Sequence, residues 1–286
     1  MRKFLPFLFV LLWSTGFIGA KYGLPYAEPL TFLSARYLLV LGLMLPVALV
    51  FRASWPATRQ EWLHIGFSGV LLHAVYLGGV FMAIHRGLPA GITALVVGMQ
   101  PLLTALGAGW LLGEAVSRRQ WLGLVLGLSG VGLVVSGKFG SQPLAELLPA
   151  IVPALVALLG ITLGTLYQKR FCPAFDLRTG SLIQFIPSAL VTAAAIALFE
   201  DAHIEWHGQF VFALAWLVLV LSIGAISLLN LLIRSGSAVN VASLFYLTPP
   251  TTALIAWAAF GETLSAPALA GLVLAVSGVY LVARSK

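Results

Sequence analysis

Few side chains in this chain can do chemistry, and their spacing groups them. His73 and Tyr76 lie three residues apart, which puts them on one face of a helix. Together they offer a titratable ring, a hydroxyl and an aromatic surface. Gln100 precedes Pro101, and Tyr246 and Thr248 lead into the pair Pro249-Pro250. A proline inside a helix removes a backbone donor and clashes with the carbonyl four residues back, so free carbonyls gather beside those side chains. That combination suits a cavity wall, with Pro101, Pro249 and Pro250 as hinges. Trp13, Tyr167 and Asn230 also sit inside apolar runs and complete the expected substrate-binding set.

Other polar groups read as structural. Arg36 stands six residues beyond Leu30, ~9 Å into its helix at ~1.5 Å per residue. It can pair with an anionic substrate group, but the favoured expectation is that it snorkels to the outer interface or holds a loop carbonyl. Glu114 and Glu262 should each stabilise the start of the helix that follows. The stretch Glu200–His207 clusters metal-capable side chains, but zinc needs three or four ligands in fixed geometry. A flexible acidic loop is the expectation there, with no metal. Cys172 is the one cysteine, so no intrachain disulfide can form. There is no nucleophile–base pair, phosphate loop or pair of intramembrane acids. No catalytic residue and no cofactor are expected, and the chain does not read as an enzyme.

The elements that must position these groups follow from composition. Of 286 residues, 60% are hydrophobic and 9% charged, where a soluble domain carries about 25% charged residues. So little polar surface points to lipid as the solvent. The net charge of +7 is not gathered on one face, which argues against a nucleic-acid partner. Apolar runs long enough to span fall at 4–21, 30–51, 62–84, 90–112, 120–137, 147–168, 179–199, 210–232, 238–260 and 266–283. They are continuous, without two-residue alternation, so helices are expected rather than barrel strands. The N-terminal run resembles a signal peptide but has a counterpart in the second half, so it is read as a retained helix. With both termini cytoplasmic, 12 Lys and Arg residues face that side and 3 the other. That split is the positive-inside pattern.

The chain also repeats itself. At a shift of 148 residues, 86–138 aligns with 234–286 without a gap and with 21 identities in 53 positions. Pro101 meets Pro249, Gly113-Glu114 meets Gly261-Glu262, and Ser129-Gly-Val131 meets Ser277-Gly-Val279. The expected units are 1–138 and 149–286, with five helices each. A unit with an odd number of spans must be inverted relative to its copy. Inverted repeats are typical of secondary transporters, whose halves exchange conformations to open to each side in turn. Gly123-x-x-x-Gly127 and Gly271-x-x-x-Ala275 allow close helix approach, either inside the bundle or at a homodimer face.

The whole chain resembles the ten-helix EamA branch of the drug/metabolite transporter (DMT) superfamily. Three patterns carry the likeness: Trp13-Ser-Thr-Gly-Phe-Ile-Gly19, Pro29-Leu-Thr-Phe-Leu-Ser-Ala-Arg36-Tyr, and the twice-used proline with Gly-Glu following at the membrane edge. The resemblance implies an all-α integral membrane protein that exports amino acids or related small metabolites across an inner membrane. Its expected partners are a small-molecule substrate and the bilayer. Neighbouring branches carry cationic drugs or sugar phosphates. A membrane enzyme on lipid-linked substrates is the reading from a different class.

Overall fold

The computed structural model describes residues 4–88, 90–136, 144–172, 174–260 and 265–284. Glu262, Lys138 and the connector around residue 143 lie outside them. Among the described residues the structure is helical with no named strand. Eight helices are long and apolar enough to cross a membrane. They are α1 (Leu5–Gly23), α2 (Pro29–Val50), α3 (Arg59–His85), α4 (Ile92–Leu112), α6 (Pro149–Phe171), α7 (Leu177–Phe199), α8 (Gly208–Ser235) and α10 (Ala266–Ala283). Between them stand α5 (Arg118–Ser136) and α9, a run from 238 to 260. The ten agree with the expected runs to within a few residues.

Pairs of equivalent helices form much of the bundle: α2 packs on α7, and α5 on α10. Glycines set the second pair. A methyl built on Gly123 would lie 2.7 Å from the Gly278 carbonyl oxygen, and one on Gly130 would lie 2.6 Å from that of Gly271. A shift of 148 residues turns each of these contacts into the other. The glycine motifs therefore serve packing between the two halves, which decides the alternative that the sequence leaves open.

Four helices are interrupted, at repeat-related places. α3 contains a π-helical stretch, Val70–Val75, and α8 contains another, Leu217–Ala225. The shift carries 70–75 onto 218–223. α4 breaks at Gly98-Met99, and a new helical segment begins at Gln100 with Pro101 in its first turn. There the missing N–H of proline costs nothing. The expected mid-helix kink at Pro101 is thus a true break with the proline restarting the helix. In α9 a short 3-10 stretch, Leu244–Leu247, precedes the segment Thr248–Phe260, with Pro249 and Pro250 again in its first turn.

The loop after α7 is no loose acidic strand. Both Glu200 carboxylate oxygens accept from the start of α2: Leu30 N–H at 2.8 Å, Thr31 N–H at 2.7 Å and the Thr31 hydroxyl at 2.7 Å. The Asp201 N–H donates to Glu28 at 2.9 Å, and His207 stacks on Tyr26. Among the described residues no three His, Cys, Asp or Glu side chains gather as metal ligands. Glu200→Ala should leave three donors without acceptors and cost about 1–2 kcal/mol. Thermal unfolding in detergent checks this, with Glu205→Ala as the control. Equal melting temperatures for the two variants would exclude the capping role.

Glu114 also caps a helix, though not the next one in sequence. It accepts from the Ala238 N–H at the start of α9, at 3.0 Å, so it ties the two halves together. Burial pushes the pKa of Cys172, in the turn after α6, up to about 11, so the thiol stays protonated at neutral pH.

Candidate functional site

A narrow cavity of about 40 Å³ lies between α1, α2, α3 and α8 and touches α6 at Ile161. That is room for a few waters, well below the roughly 300–1,000 Å³ of open small-molecule sites, so a larger ligand enters only as the helices part. The first half contributes Trp13, Arg36, His73 and Tyr76 to its wall, and the second contributes Leu217 and Leu221. The lining is otherwise apolar.

Local backbone places each polar group. The π-helical stretch of α3 carries His73, whose backbone carbonyl accepts from the Tyr37 hydroxyl at 2.9 Å. The imidazole stacks on Phe185 with centroids 4.2 Å apart, and neither ring nitrogen has a hydrogen-bond partner. One turn on, Tyr76 lies parallel to Trp13, with an interplanar angle of 7° and centroids 6.3 Å apart. Trp13 is held edge-on against Phe245 and leans on Phe9. The two rings thus form a fixed aromatic surface.

Arg36 does not snorkel. It is 3% exposed, lines the cavity, and donates from Nε to the Ser222 hydroxyl of α8 at 2.7 Å. The depth read from sequence is sound. The direction is not, because the residue faces the bundle interior, where Ser222 offers an acceptor that lipid does not.

The position equivalent to Arg36 in the second half is Gln184, and its surroundings are the reverse. Gln184 Nε2 donates to Gln168 Oε1 at 3.0 Å, and Gln168 Nε2 donates to Asn230 Oδ1 at 3.0 Å. Asn230 Nδ2 returns to Gln184 Oε1 at 3.4 Å, and Gln184 also donates to Ser68 at 3.1 Å. This closed ring of three buried amides joins α6, α7, α8 and α3. Next to it, Lys169 Nζ donates to the Ile233 and Gly236 carbonyls at the end of α8, at 3.0 and 2.6 Å. A cation there satisfies orphan carbonyls and complements the helix dipole. The position of Arg36 therefore faces a cavity, and that of Gln184 faces a closed polar network.

The EamA-like transporter family model matches the chain twice, over residues 3–136 and 148–284. The chain belongs to the EamA-like transporter family. Among curated relatives of this family, "Uncharacterized transporter YvbV" of Bacillus subtilis is 28% identical over 96% of this chain and 88% of its own length. A "Probable amino-acid metabolite efflux pump" of Salmonella typhimurium is 28% identical over 97% of this chain and 93% of its own. The "Uncharacterized inner membrane transporter YedA" of Escherichia coli is 27% identical over all of this chain. A solved crystal structure with 20% identity superposes with a TM-score of 0.80 over 97% of this chain and 95% of that one, which shows a shared fold.

This EamA-like chain brings together part of the expected site. Trp13, His73 and Tyr76 line the cavity that Arg36 enters. Thr248 and Pro249 line a smaller void that also touches Trp13 and Tyr76, and the Thr248 hydroxyl is unpartnered. Gln100 lines a separate pocket beside Thr165 and Lys169, with its Oε1 unpartnered. Asn230 belongs to the amide ring. Tyr246 packs its ring onto Gly127 in the α5–α10 core. Tyr167 bonds to His64 at 2.6 Å within an aromatic cluster that includes Phe67 and Phe171. Arg36, which lines the cavity, and Ser222, which accepts from it, are missing from the expected set. A hydroxyl within the apolar run of α8 was the available signal for the second of them.

Proposed function

We propose that this chain is a secondary transporter that exports small amphipathic metabolites, amino acids and related compounds among them, across an inner membrane by alternating access. The observation that supports this most is a cavity walled by both halves, hollow around Trp13 and Arg36 and closed off beside it by the amide ring. With both termini cytoplasmic, the ring and Lys169 form a cytoplasmic plug, and the cavity occupies the outer half of the membrane. Exchange of these two packings between the repeats would move the opening to the other side. No carboxylate lines the cavity among the described residues, so cationic compounds find no counter-ion there.

Proteoliposomes containing the purified protein, loaded with a radiolabelled amino-acid panel, are expected to release at least one member saturably and in competition with unlabelled compound. Release that never exceeds that of protein-free vesicles, for amino acids and organic acids alike, would exclude the transporter reading.

A further inference from the structure

The cavity holds a charge that nothing balances. A guanidinium carries five N–H donors. Arg36 places one of them on Ser222, and the rest find no acceptor among the described residues. No Asp or Glu lines the cavity. Glu200, on the same side of the bundle, is used on the start of α2, and Glu114 and Asp176 bond to the start of α9 and to Arg178. A cation removed from water without a counter-ion is strongly unfavourable, and intramembrane ionisable groups that persist mark binding paths.

The surroundings of that charge are specific. The parallel Trp13 and Tyr76 rings give one wall an extended apolar face. His73, 1% exposed and with both ring nitrogens unpartnered, lines the same space. The wall offers an ammonium group no carboxylate, and the Arg36 charge repels it. The second half supplies an internal control. Its equivalent position is the neutral Gln184, and there the amide groups of Gln184, Gln168 and Asn230 are bonded to one another and to Ser68.

We propose that the cavity is a carboxylate site: Arg36 takes the cargo's carboxylate through its planar fork, and the Trp13–Tyr76 surface takes its apolar body. The amino group of an amino acid is not part of recognition. This rests on the transporter reading above and narrows its cargo to carboxylates with an apolar body, deaminated acids included. His73 completes the site with a neutral ring nitrogen.

Three probes that share one phenyl group test this without any mutation: 3-phenylpropionate, phenylalanine and phenethylamine, titrated calorimetrically into purified protein in detergent. The acid is expected to bind at least as tightly as the amino acid, and the amine about 30-fold more weakly or not at all. Arg36→Gln should weaken 3-phenylpropionate by about 30-fold, and Arg36→Lys should weaken it less. Melting curves establish that each variant is folded. If Arg36→Gln does not fold, the ordering of the three probes on the native protein decides.

No binding of 3-phenylpropionate, equal or tighter binding of phenethylamine, or unchanged affinity in folded Arg36→Gln would overturn the proposal. The two readings fail separately. Binding of 3-phenylpropionate without flux in vesicles would remove the transporter reading and leave the site. Amino-acid flux without any 3-phenylpropionate binding would remove the site and leave the transporter.

Discussion

Gly130→Leu is expected to disrupt the seam between α5 and α10, whereas Gly132→Leu, two residues away, is expected to be harmless. A methyl on Gly130 would lie 2.5 Å from the Ala275 nitrogen and 2.6 Å from the Gly271 oxygen. Both are backbone atoms, so no rotamer change can relieve the clash and the helices must part. Overpacking of this kind costs about 1–3 kcal/mol for added methylenes and more where backbone has to move. A methyl on Gly132 meets nothing within 4 Å. There the helix gains about 0.8–1 kcal/mol from replacing glycine with a better helix former. Measured by thermal unfolding in detergent, the first variant should melt roughly 10 °C lower, at about 2–4 °C per kcal/mol. The second should melt at the native temperature or above it. Equal losses at both sites would mean that the seam does not depend on glycine contact. The same pair of variants tests the repeat, since Gly278→Leu must match Gly130→Leu if the two contacts are equivalent.

The second large effect is expected at the amide ring. Gln184→Leu removes the acceptor of Asn230 and the donors to Gln168 and Ser68. Each orphaned group costs about 1–3 kcal/mol in a soluble interior. Interhelical bonds measured in membranes average about 0.6 kcal/mol, because the unfolded chain in lipid finds other partners. Three lost bonds therefore put the total at about 2–5 kcal/mol. The ring should behave as a unit. Gln184→Leu, Gln168→Leu and Asn230→Leu each break it, so the triple variant should cost much less than the sum of the three single ones. Additive losses would show that the three amides act independently.

The fold follows from features that a one-dimensional reading handles well. Run length gives the ten helices, and the 148-residue shift makes α5 and α10 equivalent, while their pairing emerges only in the structure. The site is harder, for reasons that particular residues make plain. Counting along α2 gives the depth of Arg36 but not which way it points. Only the arrival of Ser222 from α8, 186 residues away, turns it inward. Tyr246 and Asn230 have the polarity of cavity residues, yet one fills the space above a glycine of α5 and the other closes a ring with two glutamines. Polarity shows that a side chain avoids lipid, not whether it meets a partner or a void. The π-helical stretches in α3 and α8 are set by tertiary packing and have no local composition to betray them.

The amide ring has a consequence for the empty carrier. Equivalence between repeats assigns each ring member a counterpart: Gln168 to Ala20, Gln184 to Arg36, Asn230 to Met82 and Ser68 to Trp216. Were the first half to close as tightly as the second is closed now, Arg36 would arrive among a methyl, a thioether and an indole, none of which can accept a guanidinium hydrogen bond well. An unladen protein would have to bury a naked cation, at several kcal/mol. A passenger bringing negative charge would spare it that. Under the alternating access proposed above, vacant return through the bilayer would be slowed and the carrier biased toward swapping one load for another.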